Sequence, residues 1–157
     1  MIPDSSGTVI EVSNRQRRVK INTPLLREIA TRALAFVGAS CGQLSIAVVD
    51  DATIARLNAA YHGVTGATDV LSFHYGEGHC ELIVSVERAG IQAKQFRTTA
   101  ASELVLYIVH GILHLHGFDD LVPAKRRRMR AAERRVIASL RRQIPLDGLI
   151  LNGRVSR

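Results

Sequence analysis

Between Leu104 and Asp120 the chain sets its tightest constraint, an apolar helical run with two imidazoles inside it. Leu104, Val105, Leu106, Ile108, Val109, Ile112 and Leu113 call for burial, yet His110 and His114 stand among them. At i and i+4 the two side chains share one helix face. Neutral imidazoles in apolar surroundings need partners, and one ion between them supplies a partner for each. Gly117 marks a helix stop, so the chain can turn back and bring a carboxylate from Asp119 or Asp120 to the same point. Two histidines and one carboxylate, with a position left for water, is a recurring catalytic zinc arrangement. His116 lies about 200° around the helix from His114 and is expected to be a surface or supporting residue.

A zinc peptidase of the HExxH kind places its general-base glutamate directly after the first histidine. Here that position is Gly111, which speaks against a standard peptidase. The charge points elsewhere. The net charge is +7, and the basic residues gather in one run from Lys125 to Arg142. In that run Met129, Ala132, Val136 and Leu140 recur at helical spacing as a core-facing stripe. Arg127, Arg130, Arg134 and Arg141 fall on other faces and are expected to be solvated. A charged outer face is the plain reading of such a run. Glu133 is its only acid, however, so salt bridges along the helix do not account for the excess of arginine. Guanidinium groups suit phosphate, to which they present a bidentate fork.

The remaining elements follow from capping and alternation. Strands are predicted over residues 8–12 and 19–21 around a polar turn at 14–17. Thr23 and Pro24 open a helix to about Val37, with Thr23 as its cap. A strand over Gln43–Val49 leads to a helix capped by Asp50 or Asp51 and running to Tyr61. Strands over 69–74 and 81–86 flank a polar loop and are close enough to neighbour each other in one sheet. A helix from Val86 to about Gln95 and the histidine helix, 100–116 with Thr98 or Thr99 as cap, precede a final helix opened by Pro123. The expected fold is α+β, a single domain over residues 1–157 with helices packed on a small mixed sheet. The metal site falls on the long helix and its following turn, and the final few residues are expected to be flexible.

The chain's 157 residues, 46% apolar, suffice for a proper core. No apolar run approaches a membrane span, and the first residues lack the basic-then-apolar pattern of a signal peptide. A cytoplasmic location is expected, with no membrane partner. Cys41 and Cys80, far apart and in no CxxC arrangement, are expected to be reduced, small and buried.

Three motifs together resemble the YbeY family of bacterial endoribonucleases. His110 through Asp120 follow that family's H-G-x-L-H-L-x-G-(F/Y)-D-H signature at every defined position but the last. Leu57-Asn58, Tyr61 and the run Thr68-Asp69-Val70-Leu71-Ser72-Phe73 are similar to a second motif, and Glu81-Leu82-Ile83 with Glu103 to a looser third. The resemblance implies a zinc-dependent endoribonuclease specific for single-stranded RNA, active in ribosomal RNA maturation and ribosome quality control. It implies ribosomal RNA and the small ribosomal subunit as partners. It makes His110 and His114 metal ligands with a catalytic role, puts Asp120 in the third ligand position, and gives Asp119 a supporting one. Thr68, Asp69 and Ser72 are candidates for the cleft wall, though Asp69 and Ser72 can equally serve as strand-entry hydrogen-bonding residues. Arg127, Arg130 and Arg134 would hold the RNA backbone.

The chain departs from the pattern where chemistry is concerned. Asp120 replaces a third histidine, which lowers the formal charge of the site and predicts a less acidic metal-bound water, with tolerance for harder ions such as Mn²⁺ beside Zn²⁺. His62 stands where the family has an arginine, so a permanent cation gives way to a group charged only below its pKa or able to move a proton. His62 is accordingly a third candidate catalytic residue. Cys80-Glu81-Leu82 replaces the family's G-D-I. The changes at 62 and 120 also keep open a different class of function: a ribosome-assembly factor that binds RNA, with a structural metal and little or no catalysis.

Overall fold

Two alternations decide which side of each strand is buried. In the strand Gln43–Val49, Leu44, Ile46 and Val48 turn one way, while Ala47 and Val49 turn the other, and all five are buried. Such a strand has to be central, covered on both faces. The computed structural model describes residues 7–38, 41–63, 65–66 and 68–151. In chain order its elements are β1 (Val9–Asn14), α1 (Thr23–Val37), β2 (Gln43–Val49), α2 (Asp51–His62), β3 (Val70–Gly76), β4 (His79–Ser85), α3 (Val86–Phe96), α4 (Ala100–Leu115) and α5 (Pro123–Gln143). A 3₁₀ turn, Leu146–Leu149, follows α5.

The sheet runs in the order β1-β2-β4-β3. β1, β2 and β4 are parallel, and β3 joins β4 as an antiparallel hairpin partner at the edge. The fold is therefore α+β with a mixed sheet, as its pattern of elements implies. Leu44, Ile46, Val48, Leu82 and Val84 face the main core with α1 and α4, while Ala47, Val49, Leu71 and Ile83 pack with Ile54 of α2 on the reverse face.

Helix α4 lies at the centre, in contact with α1, α3, α5, β3, β4 and the 3₁₀ turn. At Gly111 it packs tightly on the sheet. A Cβ there would lie 2.7 Å from Leu82 Cδ2, 3.1 Å from Val70 Cγ2 and 3.2 Å from Ser72 Oγ. The position after the first histidine thus has no room for any side chain, let alone a catalytic glutamate.

Residues 19–21 do not form the expected strand. Gln16 fastens this stretch into a loop: its Oε1 accepts from Arg18 N and Val19 N, and its Nε2 donates to Val19 O. Val19 and Ile21 are buried all the same, because the C-terminal segment covers them. Ile21 bridges Ile150, Asn22 N donates to Leu149 O, and Leu151 N donates to Lys20 O. The cap of α1 is likewise one residue earlier than Thr23: Asn22 accepts from Leu25 N. Asp50 caps α2 through Thr53 N, leaving the Asp51 carboxylate for Ser85 Oγ and Arg88. Thr99, not Thr98, caps α4. The expectation for the final few residues falls outside the described ones.

Cys41 and Cys80 are free, buried thiols that touch across the core, with sulfurs 2.7 Å apart. Burial, then the contact with Cys41, pushes the Cys80 thiol up to about 12. Among the described residues no single helix is long and apolar enough to cross a membrane.

Replacing Gly111 with alanine should lower the unfolding free energy by about 1–3 kcal/mol, because the new methyl group overpacks the contact with Leu82, Val70 and Ser72. Urea denaturation checks this, and a midpoint equal to that of the wild type would contradict the close approach.

Candidate metal centre

His110 and His114 leave α4 on the face beside β3, with ring centroids 4.6 Å apart. The helix then closes with paired terminal bonds, Phe118 N to Leu113 O and Gly117 N to His114 O. This 6→1 and 5→2 pattern is the Schellman motif, and Gly117 takes the left-handed position it requires, at φ +97°. The chain is thereby reversed, and Asp119 and Asp120 return toward the last turn of the helix.

Asp120 completes the cluster. Its Oδ2 lies 3.8 Å from His110 Nε2 and its Oδ1 lies 3.8 Å from His114 Nε2. One ligand atom from each of the three residues falls within 4.8 Å of the others. The 3.8 Å separations are too long for hydrogen bonds. They lie near the roughly 3.4 Å edge of a tetrahedron with ligand bonds of about 2.0–2.1 Å. Two imidazole nitrogens and a carboxylate gathered this closely make a donor set that suits a divalent ion such as zinc.

Asp119 does something else. Its carboxylate accepts from Leu121 N and Lys125 Nζ, each at 3.2 Å, and so ties the turn to the start of α5. The Leu121 N–H first, and then Lys125, hold its carboxyl below the usual range. Arg126 donates to the Asp120 carbonyl at 3.3 Å, a second tie between α5 and the ligand turn.

Sequence reasoning missed Glu133. This buried carboxylate sits 3.0 Å from His110 Nδ1. A carboxylate on the far ring nitrogen fixes the tautomer that leaves Nε2 free for a metal and makes it more basic. Burial alone would push the His110 imidazole down, but the hydrogen bond and charge of Glu133, with Asp69 and Asp120 adding, leave it above its ordinary value. Among the described residues no carboxylate is hydrogen-bonded to His114. Burial, and then the neighbouring His110, hold it below the usual range. The signal for Glu133 was present in the sequence: it is the only acid of the arginine run, at the spacing of the apolar stripe between Met129 and Val136.

The two histidines open onto a cleft of about 350 Å³ lined by His62, Val70, Leu71, Ser72, His74, His110, His114 and Leu115. His62, the last residue of α2, is exposed, and its ring stacks on Phe73 at 5.7 Å. Ser72 stands on the cleft wall with its hydroxyl 3.5 Å from Gly111 O. Asp69 is a strand-entry residue, its carboxylate accepting from Val70 N and from the Thr68 hydroxyl. His74 was also missed; it follows Val70 and Ser72 at the two-residue spacing of the strand face that lines the cleft. Glu103 is buried two turns ahead of His110 and does not join the ligand cluster.

Arg127, Arg130 and Arg134 are all exposed on α5, while Met129, Ala132, Val136 and Leu140 are buried, as the stripe predicts. Lys125 and Arg126 are the basic residues bonded to the ligand turn. His116 is exposed and turned away, its ring 6.4 Å from that of Phe118.

Comparison with known proteins bears on this site. The family model described as Endoribonuclease YbeY matches residues 11–141. The chain is 34% identical over 145 residues to the endoribonuclease YbeY of Geobacter metallireducens, covering 85% of this chain and 97% of that protein. It is 34% identical over 150 residues to the one from Symbiobacterium thermophilum, covering 83% and 96%. A Thermotoga maritima protein solved in solution superposes with a TM-score of 0.59 over 88% of this chain and 95% of that one. At 23% identity the last likeness is one of fold.

Replacing Glu133 with glutamine or alanine should weaken zinc binding by about 10- to 100-fold. Competition against a metallochromic chelator measures this, with circular dichroism to confirm the fold. Metal uptake requires neutral imidazoles. Wild-type affinity should therefore weaken as pH falls through the raised His110 value, with proton release on binding. Equal affinities for wild type and variant would rule out the role given to Glu133.

Proposed function

The chain belongs to the YbeY endoribonuclease family, and from that premise we propose that it is a metal-dependent endoribonuclease acting on single-stranded RNA. The observation that carries this reading is the convergence of Asp120 with His110 and His114, two residues that line an open cleft. Three protein ligands beside open space suit catalysis, whereas a structural zinc site is usually closed by four. That supports the enzyme over an RNA-binding assembly factor with a structural ion.

His110, His114 and Asp120 would hold the ion, which would supply Lewis acidity toward a phosphoryl oxygen and lower the pKa of water, so that no protein nucleophile would be needed. We assign zinc as the first candidate and manganese as the alternative, since a carboxylate in the third position makes the donor set harder. The protein's own groups do the rest. Glu133 orients His110. His62 faces the same cleft where the family's arginine would stand, and in its protonated form it stabilises charge developing on the phosphate or donates a proton to the leaving oxygen. Ser72 and His74 offer hydrogen-bonding groups along the wall. The cations of α5, Arg127, Arg130 and Arg134 with Lys125 and Arg126, hold the backbone phosphates. Ribosomal RNA within the small subunit is the proposed substrate, ribosomal RNA maturation and ribosome quality control the proposed setting, and the cytoplasm the proposed location.

His114→Ala, or removal of metal by a chelator, should lower cleavage of a single-stranded RNA by at least about 100-fold. Cleavage that survives both would trace to a contaminating nuclease, and binding without cleavage by the wild type would favour the assembly-factor reading. Replacing Arg127, Arg130 and Arg134 together with alanine should flatten the plot of log affinity against log salt by about 0.7 for each phosphate left without its cation. An unchanged slope would remove these three from the interface.

A further inference from the structure

The chain is poor in aromatic residues, with three tyrosines, four phenylalanines and no tryptophan. Three of these seven nevertheless meet at one place. Tyr61 packs edge-on against Phe73 at 5.4 Å, and Phe73 stacks on Tyr75 at 6.0 Å with planes 18° apart. His62 lies on Phe73 with planes only 6° apart, and His79 continues the row beyond Tyr75 at 5.3 Å. The row is not covered: Tyr61 is 66% exposed and Tyr75 57%. Phe73 and Tyr75 lie on the edge strand β3, on the face opposite Ser72 and His74, and the row reaches the metal cleft around that edge through His62 of α2, which both stacks on Phe73 and lines the cleft.

Rings left more than half exposed, as those of Tyr61 and Tyr75 are, add little burial to the core. Such rings suit unpaired bases, whose π-faces stack on aromatic side chains irrespective of sequence. The local charge supports bases over phosphates. The neighbouring carboxylate, Glu81, accepts from the Tyr75 hydroxyl at 2.7 Å, which holds the ring in place but offers a phosphate nothing. Cations stand instead at the ligand turn, where Lys125 and Arg126 bond to Asp119 and Asp120.

We propose that Tyr61, Phe73 and Tyr75, joined to the metal cleft through His62, form a stacking subsite for one or two bases of single-stranded RNA beside the cleavage position. This rests on the endoribonuclease reading and adds to it the place where the bases lie. A duplex keeps its bases stacked on one another and cannot use the subsite, so the row gives a physical source for a preference for single strands. Stacking does not sense the ribose hydroxyl, and purines should bind better than pyrimidines.

The test uses metal-loaded protein and a 2′-O-methyl oligoadenylate about ten nucleotides long, which resists cleavage, together with the same strand made abasic. Tyr61→Ala and Tyr75→Ala should each weaken binding of the base-bearing strand about tenfold. Neither should alter the salt dependence, since every phosphate keeps its cation, nor affinity for the abasic strand. Tyr75→Phe, which keeps the ring and removes only the bond to Glu81, should bind like the wild type. Both tyrosines are more than half exposed, so the variants retain the fold. Unchanged binding by both alanine variants overturns the subsite and leaves the rings to a protein partner. A loss shared equally by the abasic strand overturns it as well. A wild type that binds neither strand and cleaves no RNA brings down the endoribonuclease reading itself, whereas cleavage with indifferent tyrosine variants removes the subsite alone.

Discussion

The contact between α4 and the sheet at Gly111 sets the position of everything else in the site. A Cβ at this position would lie only 2.7 Å from the Leu82 side chain, so the glycine lets the helix pack closely on the strands. That closeness brings His110 and His114 against β3, so Ser72 and His74 of that strand share a cleft with them. It also explains why this metal helix differs from that of the zinc peptidases. The residue after the first histidine faces packed strands rather than solvent, and chemistry there has to come from other elements.

Those elements are brought in by opposite means. Asp120 arrives locally, through a helix termination that reverses the chain within a few residues and is held by Asp119, Lys125 and Arg126. Glu133 arrives from α5, 23 residues from His110 in sequence. Its carboxylate is buried in a helix otherwise crowded with arginine, a placement that only a strong partner justifies. The pair of histidines is thereby made unequal. His110 is the more basic, with a carboxylate beside each ring nitrogen, and His114 is the weaker base, held by burial and repulsion below its usual value.

Around the cleft, charge and aromatic surface are separated. Guanidinium and ammonium groups cluster on α5 and at the ligand turn, while Phe73 and Tyr75 stand on the edge strand with Tyr61 of α2 packed on Phe73. A polymer with a charged backbone and flat bases matches such a division. His62 stands at the boundary, one ring facing both the cleft and the row on β3.

Features governed by neighbours a few residues apart could be read from the chain alone. The i, i+4 histidines, the Gly117 stop, the return of a carboxylate, the apolar stripe of α5 and the alternation in β2 all stand as expected, because helix periodicity and backbone capping are local physics. What failed or was absent was decided at long range. Residues 19–21 have the alternation of a strand, but their burial is met by the C-terminal segment rather than by a neighbouring strand. The strand order, with β4 inserted between β2 and β3, follows from how the hairpin folds back onto the sheet. The bond of Glu133 to His110 and the gathering of Tyr61, Phe73 and Tyr75 depend on which surfaces pack together, and no spacing along the chain encodes that. A helix able to hold a metal is written into the order of its residues. The carboxylate that orients its first ligand and the rings that stand beside it were settled by packing, because those contacts exist only once the sheet has placed distant segments side by side.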